Sequence, residues 1–316
     1  MTADRFANLD TTVGPTCDAC AMAERRPRLV LDSPSLIYRA WFALPPSIHG
    51  RDGRPVNAIR GYLDMVAWLL AHHRPRAVTH VMDADWRPAW RVKAWSGYKA
   101  DRQDEPPDLT AQVPVIEQLL AAAGMPVASA KGFEADDVIG TIAAEAGADD
   151  RVAVVSGDRD MFQVVRDPAV WVLFPRKGVS ELERFDEAAV LGAHGVPPAR
   201  YADFAILRGD QSDGLPGLPG VGPKTAATLV GQFEDIDALI EGADTLKGKL
   251  AAAVKDNAEY LAAMRVVVPV ATKVPYELTP TGPPDAELLT ELGDRYLAES
   301  PVKRLLAALE ALDPTG

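Results

Sequence analysis

The sequence predicts an α/β fold with a mainly parallel central sheet flanked by helices, followed by a helical module. Three observations predict it. Short apolar, β-branched runs recur at Arg28 to Leu31, Ala77 to Met82 and Arg151 to Val155, and read as buried parallel strands. Helical patterns at 56–73, 110–123 and 134–147 lie between them, which is the alternation of a doubly wound sheet covered on both faces. After about residue 185 the strands thin out, and helical patterns follow at 186–194, 198–208, 223–231, 235–241, 246–264 and 286–312.

Taken in order, residues 1–26 lack apolar periodicity and are expected to be disordered or loosely attached. They hold the two cysteines, Cys17 and Cys20. No second cysteine or histidine pair follows at zinc-finger spacing, so these read as two free thiols. Residues 27–185 form the expected α/β core, with a further strand at Ala169 to Phe174. Residues 186–316 form the helical module, packed on the sheet, with a short strand around 273–277 and a Pro-rich loop from Thr279 to Pro284. At 47 % hydrophobic and 25 % charged residues the composition is that of a soluble globular protein. No apolar run reaches the ~18–20 residues of a membrane span, and no secretory signal opens the chain, so a cytoplasmic protein without membrane contact is expected.

The strands end in acids. "RLVLDS" delivers Asp32, "VTHVMDAD" delivers Asp83, and "VAVVSGDRD" delivers Asp158 and Asp160. Ligands of open α/β sheets bind outside the carboxyl ends of the strands, so these side chains should converge. Glu134, Asp136 and Asp137 open the helix of "GFEADDVIGTIAAEAG", and Asp210 and Asp213 lie on the loop "LRGDQSDGLPG". Singly, each has an ordinary explanation as a helix-first-turn or turn residue. Together they aim acids from five segments at one edge. The net charge of −12 is unusual for a nucleic-acid binder, yet setting these nine aside leaves 36 acids against 33 bases. An oxygen-only cluster without His or Cys suits hard ions, Mg2+ or Mn2+. Two such ions ~4 Å apart hydrolyse phosphodiesters, one activating water and one neutralising the leaving oxygen.

Two further segments point to nucleic acid. Residues 86–102 interleave Trp86, Trp90, Trp95 and Tyr98 with Arg87, Arg91, Lys93, Lys99 and Arg102, the composition of a single-strand channel. Gln103 to Leu109 reads as a mobile connection, so that 86–110 forms one basic, aromatic arch. In "LPGLPGVGPKTAATLVGQF", Gly220, Val221 and Gly222 make a tight turn, Pro223 suits the first helical position, and Lys224 and Thr225 fall in the first turn. Exposed backbone N–H groups there can hold a phosphate without reading sequence, the pattern of a helix–hairpin–helix across 210–231.

With "LVLDSPSLIYRAWFALP", "VMDADWRPAWRVKAWSGYKADR", "GFEADDVIGTIA", "SGDRDMFQVV", "GDQSDGLPGLPGVGPKTA" and "SPVKRLLAAL" in this order, residues 28–312 resemble the 5′-nuclease (flap endonuclease) superfamily in its bacterial form. That family comprises the N-terminal nuclease domain of DNA polymerase I and its free-standing relatives. The resemblance implies a PIN-like core with a helix–three-turn–helix module. It makes Asp32, Asp83, Glu134 and Asp136 ligands of a first metal ion, with Asp137, Asp158, Asp160, Asp210 and Asp213 around a second. Lys99 matches the lysine at the scissile phosphate and Arg102 its supporting arginine. Tyr38 and Arg39 match positions near the threaded strand end, and the hairpin matches an element that binds K+ through backbone carbonyls. Ser33 and Pro34, the run Trp90 to Lys93, and Gly214 depart from the usual family residues, which touches strand threading and not the metal set.

The expectation is a monomeric, stand-alone 5′-3′ exonuclease and flap endonuclease of replication and repair, leaving 5′-phosphate and 3′-hydroxyl ends. Its partners would be DNA with 5′ flaps, 5′ overhangs or nicks, and RNA primers. A non-catalytic binder of DNA structures would need to have lost acids that are all present here. A PIN-like nuclease acting on RNA would lack the long helical module and the G-V-G-P-K-T string.

Overall fold

The computed structural model describes residues 26–312. The cysteine pair and nearly all of the expected loose tail lie outside the described residues. Seven strands form one mixed, mostly parallel sheet: β1 (Arg28–Asp32), β2 (Ala77–Val81), β3 (Val127–Ser129), β4 (Val152–Val155), β5 (Val170–Pro175), β6 (Leu182–Phe185) and β7 (Glu277–Leu278). Their order is β6-β5-β4-β1-β2-β3-β7, with only the edge strands β6 and β7 antiparallel. The chain leaves β1 toward β2 on one side and later returns to β4 on the other. The crevice between β1 and β4 is therefore the switch point where a ligand site belongs.

Alternate side chains feed two cores. Val30, Val152, Val154, Val170 and Val172 pack with Val138, Ile139 and Ile142 on one face. Leu29, Leu31, Ala153 and Val155 pack with Leu36, Ile59, Leu63 and Leu70 on the other. Because both faces are covered, the strands read as continuous apolar runs. β3, of three residues, and β6, which carries Glu183 and Arg184, are too short or too polar to show that signature. Helix α1 (Ser33–Ala43) also escaped the periodicity reading, though Asp32 caps it and Pro34 lies in its first turn.

Two long helical patterns are each broken once. Residues 246–264 divide at Asn257 between Lys249–Asp256 and Ala258–Val267, and 286–312 divide at Leu297, which takes a φ of 49° between Ala286–Arg295 and Glu299–Glu310. The last pair packs back on the sheet, as expected of the module. Leu289, Leu292, Val302 and Leu305 belong to the core of the α1 face, and Arg304 pairs with Asp64 of helix α2 (Asn57–His73). The chain thus returns to the sheet after its helical excursion. Among the described residues no helix is long and apolar enough to cross a membrane.

Candidate active site: an acid-lined cleft at the strand ends

A cleft of about 830 Å³ opens over the carboxyl ends of β1, β2 and β4 and is lined by Asp32, Asp83, Glu134, Asp136, Asp158, Lys99 and Arg102, with Tyr38 and Arg39 at its side. Asp32 ends β1 and caps α1, accepting from the Ser35 amide at 3.3 Å, while Ser156 beyond β4 donates to its other oxygen at 2.5 Å. That bond spans the switch point. Below it, the Ser33 and Tyr62 hydroxyls lie 2.7 Å apart and Tyr62 meets His80 Nδ1 at 2.7 Å, anchoring the start of α1 from within the core. Asp83 accepts from the Ala135 amide at 2.7 Å, at the amino end of helix α3 (Ala135–Glu145), where the helix dipole favours a negative charge.

The acids form two groups that meet at Asp158. Burial pushes the Asp32 carboxyl up to about 7, with Asp158 and Asp83 adding repulsion. Burial also raises Asp136 well above the carboxylate range, and Asp158, Asp32 and Glu134 raise it further. On the other side, burial and then repulsion from Asp158, Asp210 and Asp213 hold Asp160 well up. Asp213 is raised by burial and eased by Lys99.

Among the described residues no three of these acids close around a single point as the side chains stand. Several direct oxygens at protein donors instead: Ser156, the Ala135 amide, Lys99 and Arg91. One buried oxygen, Asp160 Oδ1, has no hydrogen-bond partner. An orphaned buried carboxylate oxygen inside an oxygen-only, mutually repelling set fits a hard divalent ion.

The loop carrying Asp210 and Asp213 is held by its own backbone. Asp210 and Leu215 exchange both backbone bonds, at 2.8 and 2.7 Å, and Tyr260 accepts from Gly217 N at 2.9 Å. Gly217 has a φ of 68°, and a Cβ there would stand 2.5 Å from the Arg208 carbonyl oxygen. Gly217→Ala is therefore expected to lose about 2 kcal/mol or more of stability, from the left-handed backbone plus the clash. A urea titration matching wild type would contradict that.

The basic, aromatic segment divides into inward and outward halves. Trp95 packs edge-on against Tyr260 at 5.3 Å, and Trp90 lies under the Arg91 guanidinium at 4.4 Å. Tyr98 is buried and donates to Glu134 Oε2 at 2.7 Å. Arg91 is 2 % exposed and bonds Glu134, Asp137 and the Val267 carbonyl. Neither Arg91 nor Tyr98 can reach DNA in this arrangement, which corrects their assignment as DNA contacts. Arginines and aromatics read from composition cannot be sorted into clasp and channel. Asp137 is corrected likewise: fully buried, it does not line the cleft and turns both oxygens to Arg91. The connection 103–109 is also anchored, by the short helix Pro107–Thr110 and the buried Leu109.

The outward half faces the cleft. Trp86 is 43 % exposed there, across from Tyr38 at 45 % and Phe42 at 67 % on α1. Phe42 was not singled out in the sequence; its place one turn beyond Tyr38 is the signal that could have found it. Lys99 is buried beside the acids, with a φ of 50° and its Nζ 2.5 Å from Glu134 Oε1. Burial alone would lower the lysine, but Asp213 and Glu134 hold it charged. Gly220, with a φ of 78°, and Gly222 form an exposed turn ahead of helix α4 (Pro223–Gln232), which starts with Pro223, Lys224 and Thr225.

Carboxylates gathered at a switch point, a buried lysine among them and a glycine hairpin beyond define the chain as a nuclease. Residues 27–195 match the family profile of the 5′-3′ exonuclease N-terminal resolvase-like domain, and residues 196–285 that of the 5′-3′ exonuclease C-terminal SAM fold. The chain belongs to the 5′-3′ exonuclease family. It is 44 % identical over 303 residues to a 5′-3′ exonuclease of Streptomyces coelicolor, covering 90 % of this chain and all of that one. A Mycobacterium tuberculosis 5′-3′ exonuclease is 42 % identical over 316 residues, covering 91 % and 99 %. In fold it resembles the bacteriophage T5 D15 flap endonuclease, solved as a pseudo-enzyme–product complex with DNA and metal ions. That likeness has a TM-score of 0.61 at 17 % identity and covers 90 % of this chain and all of the other.

Proposed function

We propose that this exonuclease hydrolyses phosphodiesters near the 5′ ends of branched or nicked DNA with two divalent ions, Mg2+ or Mn2+. The observation that carries the reading is the pair of acid groups meeting at Asp158, mutually repelling and supplied with an orphaned oxygen at Asp160. Asp32, Asp83, Glu134 and Asp136 would hold one ion; Asp158, Asp160, Asp210 and Asp213 would hold the other. Such ions supply an activated water and neutralise the leaving oxygen.

The residues of the chain supply the rest. Lys99 carries a fixed positive charge into the cleft, where it can offset charge growing on the scissile phosphate. Arg102, exposed on the same wall, can take a neighbouring phosphate oxygen. Arg39 and Tyr38 border the entrance for an unpaired 5′ strand. The hairpin presents amides and Lys224 to duplex backbone, and its carbonyls would hold K+. We take the enzyme to act as a cytoplasmic monomer in replication and repair, leaving 5′-phosphate and 3′-hydroxyl ends and accepting 5′ flaps, overhangs, nicks and RNA primers.

The test is cleavage of 5′-labelled flap, overhang, nicked and RNA-primed substrates with Mg2+, Mn2+ or EDTA. Short 5′-phosphorylated products in either metal and none in EDTA are expected; metal-independent cleavage would sink the reading. Lys224→Ala should weaken duplex binding evenly across sequences and lower the salt slope by about 1. A sequence-dependent loss would contradict a purely phosphate role.

A further inference from the structure

We infer that Arg91 is a positioning residue for the reaction: it fixes Glu134 at the cleft and ties it to the end of helix α5 (Ala258–Val267) in the C-terminal half. The inference rests on the reading above that Glu134 holds a metal ion.

Arg91 is held at three places that do not involve Glu134. Its Nε donates to the Val267 carbonyl at 2.9 Å, at the carboxyl end of α5, where the helix dipole favours a cation. Its Nη1 and Nη2 grip both oxygens of Asp137, at 2.9 and 2.7 Å. Its Cζ lies 4.4 Å from the centre of the Trp90 ring. Asp137 is itself fixed, accepting from Ala271 N at 2.9 Å and from Glu134 N at 3.3 Å. The guanidinium is therefore stationary, and Glu134 is the partner that depends on it. Arg91 Nη1 and the Tyr98 hydroxyl share Glu134 Oε2, which sets the carboxylate plane with Oε1 toward Lys99.

A buried ion pair serving stability alone would need only the fork onto Asp137. The remaining donor, spent on Glu134, places the arrangement behind a metal-facing carboxylate, where orienting partners usually change metal affinity ~10–100-fold. Because α5 and the Ala271 amide supply the other anchors, the C-terminal half that carries the hairpin and the first-turn acids of α3 share one rigid node.

The experiment measures Mn2+ binding by electron paramagnetic resonance on the full chain for wild type, Arg91→Gln, Arg91→Lys, Asp137→Asn and Glu134→Gln. Flap-DNA binding in EDTA and kcat and KM at varied Mn2+ are measured on the same samples. Arg91→Gln is expected to weaken Mn2+ binding about 10-fold or more. Arg91→Lys, able to replace one bond and not the fork, should fall between it and wild type. Flap affinity in EDTA and KM should stay unchanged, while kcat recovers at saturating Mn2+. Should Arg91→Gln fail to fold, Asp137→Asn decides, since it loosens the anchor and leaves both Arg91 and Glu134 in place; it should weaken Mn2+ binding in the same direction. Wild-type Mn2+ binding in the folded Arg91 and Asp137 variants, with Glu134→Gln impaired, overturns the inference. Unimpaired binding in Glu134→Gln would overturn the metal assignment beneath it instead.

Discussion

Replacing Asp158 and Asp160 together by alanine is expected to lower flap cleavage by about 10³-fold or more, since an ion at the reacting phosphate supplies several kcal/mol. The same variant should melt higher than wild type in EDTA. Burial, then the mutual repulsion of Asp158, Asp210 and Asp213, holds the Asp160 carboxyl well above its ordinary 3.8. A carboxyl raised in the folded state binds more protons folded than unfolded, so stability falls as pH rises through the window between its unfolded and folded values. For Asp32 that window runs from 3.8 to about 7. The metal-free protein should accordingly be more stable near pH 5 than at pH 8. Mg2+ should remove much of the difference for wild type and less of it for the double variant, which keeps only the first set of acids. Differential scanning calorimetry at the two pH values checks the sign. A double variant less stable than wild type in EDTA would mean that these acids form favourable contacts in the folded protein.

Lys99→Ala should reduce kcat by about 10²–10³-fold with KM nearly unchanged, the signature of a charge used in the transition state. Lys99 is buried at the cleft wall, and its backbone amide donates to the Asp213 carbonyl at 2.9 Å. Its ammonium therefore has one place to be, between Glu134 and Asp213, and the low dielectric there magnifies its effect on a phosphate. The φ of 50° is a conformation that a non-glycine residue keeps only when its surroundings enforce it, and here the Asp213 carbonyl and the Glu134 carboxylate do so. Removing the side chain also leaves Glu134 with Arg91 and Tyr98 alone, so a modest loss of stability should accompany the loss of rate. Single-turnover kinetics separate the two readings: a raised KM with kcat intact would make Lys99 an ordinary DNA contact.

Much of the architecture was legible because its causes are local. Buried parallel strands must be apolar throughout, so β1, β2, β4 and β5 stood out, and each acid at a strand end marked the sheet edge that now carries the cleft. The glycine turn with Pro223 likewise declared the start of a helix. Elements without such causes were hidden: β3 at three residues, β6 with Glu183 and Arg184 side by side, and α1 behind a Ser-Pro opening. The site was legible in its acids and less so in its cations. Arg91 and Arg102 look alike in the sequence. Only the approach of α5 and Asp137 makes one of them a buried clasp and leaves the other at the cleft. The final helices show the same limit: their apolar stripe says that a face is buried, not which face of the sheet it covers.

We propose that the two acid groups meeting at Asp158 bind two hard ions. A crystal soaked in Mn2+ and measured for anomalous scattering tests it most directly. Two peaks are expected over the strand ends, one among Asp32, Asp83, Glu134 and Asp136 and one among Asp158, Asp160, Asp210 and Asp213, with the second lost in Asp158→Ala/Asp160→Ala. No peak in the cleft, or a single ion held away from these carboxylates, would contradict it.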